Sequence, residues 1–135
     1  MDLRTAQEYA KEGKWEKIDE NIQEIQENIE IVRWAYRNGI YKEDGDYRDL
    51  ALTATEKTLI FPRDCDKFKE RLYGIMKEDR VDYIRCRAAF NAVSHRLVES
   101  KEEYNTCFSV LTNFKNDQEL GRKSSNYLRQ LEELF

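Results

Sequence analysis

Trp15, Ile18, Ile22, Ile25, Ile29, Val32 and Tyr36 recur at alternating spacings of three and four, and nearly every position between them is charged or amide. An apolar residue at every third or fourth position draws one stripe along an α-helix. Residues 15–38 are therefore expected as one amphipathic helix, about 36 Å long at 1.5 Å per residue. It should stop near Asn38-Gly39, because glycine is favoured just past a helix C-terminus. The stripe widens in its C-terminal half, where Ile31, Trp34 and Ala35 add a second apolar edge. A left-over apolar edge is where an interaction surface would lie.

The same periodicity runs through the rest of the chain. Leu3, Ala6 and Ala10 share one side of a short helix over 2–12, started by Asp2 and broken or kinked at Gly13. The polar run Lys42, Glu43, Asp44, Gly45, Asp46 reads as an acidic turn capping a helix from Tyr47 to Phe61, which must end or kink at Pro62. Its acids lack the alternating oxygen ligands and distal Glu of an EF-hand loop. A further helix from about Asp64 carries Phe68, Leu72, Ile75 and Met76, and Asp79 is a suitable cap for the next, Val81 to about Val98. That helix is apolar on two sides, with Val81, Ile84, Ala88 and Ala92 in one row and Tyr83, Cys86, Phe90, Val93 and Leu97 in another, which marks it as central. Ser100 with Glu103 has the form of a capping box. Tyr104, Cys107, Phe108, Leu111 and Phe114 make another stripe, Asn113 to Asp117 break it, and a last helix carries Leu120, Tyr127, Leu128, Leu131, Leu134 and Phe135. No strand alternation or Asn-Gly hairpin competes.

Stripes of this kind predict an all-α fold: an antiparallel bundle of four to six helices with left-handed, shallow-angle packing, in a single domain over 1–135. A second architecture follows from an echo. Gly13, Trp15 and Ile18 return 32 residues later as Gly45, Tyr47 and Leu50, and Pro62 follows Gly45 by 17. This resembles the glycine, aromatic and small-residue spacing of tetratricopeptide repeats, which implies stacked helical hairpins. The resemblance covers about a third of the chain, with Ile18 and Leu50 in place of the small residue.

Composition narrows the class without naming an activity. In 135 residues there are one Pro and five Gly, with 40% hydrophobic and 37% charged side chains, the balance of a soluble helical protein. No apolar run is long enough to span a membrane, and Met1, Asp2, Leu3, Arg4 do not begin a signal peptide, so a cytoplasmic protein is expected. Cys65, Cys86 and Cys107 lie 21 residues apart, too far for the short ligand spacings of zinc sites, and read as free thiols. The net charge of −4 is uneven. Residues 1–62 carry 9 basic and 14 acidic side chains, 63–96 carry 9 and 6, and 97–135 carry 5 and 7.

The chemistry-bearing residues are few. One His, no Glu-x-x-His and no Gly-rich phosphate loop leave no catalytic set, no metal set and no cofactor to assign. Glu20, Glu24 and Glu27 share a helix side, as any solvated acidic face would. Arg87, Asn91 and His95, four apart on the doubly apolar helix and headed by Tyr83, are the candidate binding row. In function they would meet a phosphate or carboxylate; in structure they would form a hydrogen-bond network. An Arg followed by a His on one helix resembles the nuclease members of the HEPN domains, which are all-helical and carry the two separated by four to six residues. Seven separate Arg87 from His95, so no activity is carried over.

Two function classes remain. The first is a non-enzymatic module that binds another protein or itself near Ile31, Trp34 and Ala35. The second is a nucleic-acid-associated protein using the basic, aromatic-bearing segment 63–96, which includes Lys67, Lys69, Arg71, Tyr73, Lys77, Arg80, Tyr83, Arg85 and Arg87.

Overall fold

The structure, a computed structural model, describes residues 1–58 and 65–134. All regular structure among them is helical: α1 (Leu3–Lys11), α2 (Trp15–Glu20), α3 (Ile22–Glu27), α4 (Ile29–Arg37), α5 (Gly45–Thr55), α6 (Cys65–Glu78), α7 (Asp82–Ser94), α8 (Lys101–Phe114) and α9 (Gly121–Glu133), with a 3-10 turn at Gly39–Tyr41. The chain divides into two compact units, residues 1–68 and 69–135. Residues 59–64 and 135 lie outside the described residues, and with them Phe61, the expected stop at Pro62 and the expected start at Asp64; α5 itself ends at Thr55, short of the expected Phe61.

In the first unit the single helix expected over 15–38 is replaced by three. Asn28 sits in an extended conformation (φ −81°, ψ 111°) and its side chain accepts the Ile31 N–H at 3.1 Å, so it caps α4. Asn21 also leaves helical geometry (φ −114°, ψ 19°), and its amide donates to the Lys17 carbonyl at 2.8 Å. The reason is chemical: an Asn side chain offers the backbone a bond that competes with the helix and favours caps. The break re-phases the stripe. Ile18, Ile25 and Val32 are fully buried, but Ile29 is 53% exposed, while Ile31 and Ala35, off the sequence stripe, are fully buried.

Gly13 resolves the first junction. Its φ of 73° is left-handed, the Gly13 N–H donates to Ala10 O at 3.3 Å and the Lys14 N–H to Tyr9 O at 2.8 Å, the paired bonds of a Schellman stop. Asp2 caps α1 by accepting the Thr5 N–H. Gly39 acts differently from expectation: its φ is not positive, and it is small because a Cβ there would lie 2.7 Å from the Ala51 Cβ and 2.9 Å from the Trp34 ring. Asp44 caps α5, which packs on α1, α3 and α4. Lys11 at the end of α1 pairs with Asp44 and reaches Asp46 at 3.6 Å, and the Asp44 contact holds the Lys11 ammonium above its usual pKa. The two echoed glycines therefore play different parts, Gly13 ending α1 and Gly45 opening α5.

In the second unit α7, α8 and α9 pack pairwise. α7 buries residues on nearly every side, Ile84, Cys86, Ala88, Ala89, Phe90, Asn91, Ala92 and Val93. It stops earlier than expected, at Ser94, again by a Schellman pair: Arg96 N–H to Val93 O at 3.1 Å and Leu97 N–H to Ala92 O at 2.8 Å. Here the left-handed residue is Arg96, at φ 56°. Because a Cβ costs about 1–2 kcal/mol in that region and Arg96 is exposed, Arg96→Gly should stabilise the protein by about 0.5–1 kcal/mol. A rise in the denaturant midpoint at constant slope is the measurement.

The capping box at Ser100 starts α8. Ser100 Oγ accepts the Glu103 N–H at 3.1 Å, and Glu103 Oε1 accepts the Glu99 N–H at 2.8 Å. Lys69 joins it, 3.0 Å from Glu103 and 3.2 Å from Glu99. Burial pushes the Glu103 carboxyl up, but the Glu99 N–H and Lys69 together hold it below the ordinary carboxylate range.

Candidate functional site

α7 places the candidate row. Asn91 is fully buried and donates from Nδ2 to the Arg87 carbonyl one turn back, at 3.0 Å. Arg87 is half-buried, Tyr83 is 40% exposed, and His95 is the half-buried C-cap whose N–H donates to Asn91 O at 3.0 Å. The three share a helix face, but the middle member is enclosed and bonded to its own helix. On the same helix, Phe90 stacks on Tyr127 at 5.0 Å, and Lys123 stands 5.0 Å over the Phe90 ring.

The other candidate surface, Ile31, Trp34 and Ala35, is covered within the first unit. Ile31 and Ala35 are fully buried, and Trp34, half-buried, meets Tyr47 edge-on at 6.1 Å and overlies Gly39. The edge is inside because the cap at Asn28 turned α4 towards α5.

Several cations of segment 63–96 are held internally. Lys69 pairs with Glu99 and Glu103, Lys77 with Glu102 at 3.6 Å, and Arg85 donates to the Asp79 carbonyl. Phe68 is buried against Tyr36 at 4.7 Å. Glu20, Glu24 and Glu27 are divided between α2 and α3, and no group of three potential metal ligands occurs among the described residues. No described helix is long and apolar enough to cross a membrane.

None of the three cysteines is in a disulfide; Cys65 is exposed and the other two are buried. Burial pushes both Cys86 and Cys107 up to about 11, so both stay protonated at neutral pH. They act as small core residues, Cys86 lying 3.5 Å from Ser124 Oγ and Cys107 3.5 Å from the Tyr73 hydroxyl.

No family model, no curated protein and no solved structure matches this chain. Its surface must be read from its own residues.

Three features stand out, two of which the hydrophobic pattern did not single out, while the third, Phe108, was placed by that pattern on a stripe but is exposed. α5 and its C-cap bury a polar row, Asp49, Thr53 and Glu56, whose spacing of four and three is legible as one helix face. On α8, Phe108 is 43% exposed and stacks on Tyr104 at 6.1 Å with 12° between the rings. At the α8–α9 turn a shallow depression of about 520 Å³ is lined by Lys115, Asp117, Arg122, Ser125, Asn126 and Arg129, among others. The last four fall at spacings of three, one and three, the face of α9 opposite its buried Ser124, Tyr127 and Leu131.

Proposed function

We propose that this chain is a non-enzymatic helical module that binds protein, a second copy of itself in the first instance, through the outward face of α8. Its helices are read as antiparallel bundle elements, since short turns such as 115–120 join neighbours running in opposite directions. The observation that carries the reading is the Tyr104–Phe108 stack. An aromatic pair with one ring 43% exposed is the type of group that interface cores gather, because it offers large contact area at small conformational cost. Support also comes from the candidate row, where Asn91 is enclosed in packing rather than set in an open cleft.

Light scattering over a wide concentration range tests this. The parent should gain mass with concentration, and Phe108→Asp should remain a monomer with an unchanged melting temperature. A parent that is strictly monomeric throughout would refute self-association. Nucleic-acid binding through 63–96 has less in its favour, because Lys69 and Lys77 already face carboxylates. Salt-sensitive binding of RNA or DNA that tracks Arg71 and Arg80 would revive it.

A further inference from the structure

The geometry points to the depression at the α8–α9 turn as a binding site for a dianionic phosphate monoester. The turn is built by a close approach: a Cβ on Gly121 would lie 2.8 Å from the Lys115 carbonyl oxygen, so only glycine lets residue 115 fold back over the start of α9. Asp117 secures the turn by accepting the Glu119 and Leu120 N–H groups on Oδ2, at 3.0 and 2.9 Å. That fold brings Lys115 into one concavity with Arg122 and Arg129.

None of these three cations is in ion-pair contact with a carboxylate among the described residues, unlike Lys11, Lys69 and Lys77. Asp117 also lines the depression, so its formal charge is about +2, the complement of a phosphate monoester dianion. Arginine guanidinium forks suit phosphate oxygens, and Ser125 and Asn126 add neutral donors on the same face. A nucleic-acid backbone fits less well. Polyanion binding needs cations continuing along a track, whereas here Glu119 interrupts the cations in the turn between Asp117 and Gly121, and Glu132 and Glu133 follow Arg129 on α9. The monoester belongs either to a small molecule or to a phosphorylated side chain of a protein. The site shares no residue with the α8 aromatic pair, so the two readings stand or fall separately.

The test is an amide-resonance titration of the full chain with ethyl phosphate, with a short phosphoserine peptide and with an oligothymidylate. Ethyl phosphate should shift resonances of residues 115–129 saturably at pH 7.5. Affinity should fall about tenfold by pH 5, as the dianion with its second pKa near 6 is protonated. Arg122→Gln combined with Arg129→Gln, both exposed and compatible with an unchanged spectrum elsewhere, should weaken binding at least about tenfold, as expected for loss of two charge-assisted contacts. Lys101→Gln, outside the depression, should leave it unchanged. Tighter binding of the peptide assigns the monoester to a protein, and equal binding assigns it to a small molecule. The proposal is overturned by the absence of saturable shifts, by an equal loss in Lys101→Gln, or by oligothymidylate binding the same residues more than about tenfold more tightly than the monoester.

Discussion

Ile25→Asp should unfold the first unit. Ile25 is fully buried in α3, which packs against α4 and α5. Truncating a buried Ile costs about 2–5 kcal/mol. An Asp adds the penalty of a carboxylate with no partner in an apolar setting. A total of about 5 kcal/mol or more is comparable with the whole stability of a small domain, about 5–15 kcal/mol. Circular dichroism at 25 °C should show loss of helix. The informative control is Ile29→Asp. Both residues lie on the stripe that the sequence draws, but Ile29 is 53% exposed, so its substitution should change stability by no more than about 0.5 kcal/mol. Equal damage from the two would mean that the helix is continuous through Asn28 and that the re-phased packing is wrong.

The second large effect belongs to the other unit. Phe90 is among the largest fully buried side chains, and its ring is stacked on Tyr127 with Lys123 over it. Phe90→Ala should cost about 3–5 kcal/mol through lost transfer energy and an unfilled cavity, including about 0.5–1.5 kcal/mol of ring pairing. The melting temperature should fall by about 10 °C or more. Phe108→Ala removes an equal ring from an exposed site and should leave the melting temperature close to that of the parent, so a similar fall in both would contradict the burial seen here.

Local chemistry was legible along the chain. Asp2, Asp44 and the Ser100–Glu103 box are caps where the sequence places them, and Gly13 is a true stop, because each acts through bonds to residues within a few positions. The candidate row was legible only as a shared face. Its spacing of four holds for Arg87, Asn91 and His95, yet spacing carries no information about what covers Asn91. The basic depression was hidden for a related reason. Arg122, Ser125, Asn126 and Arg129 show their common face in sequence, but the approach of Lys115 to Gly121 is a distance across a turn.

The sequence by itself determined that this protein is helical, where most of its helices begin, and which thiols have no partner at metal spacing, since periodicity and capping depend on near neighbours. Only the tertiary structure decided that Asn28 is a break rather than one more wet-face position. It also decided that Gly39 and Gly121 are small for packing rather than for φ, and that Ile31 and Ala35 are inside while Ile29 is outside. Those outcomes turn on which helix lies against which. One capped residue rotates every later side chain on its helix, so contact between distant segments, and not the local pattern, selects the buried face.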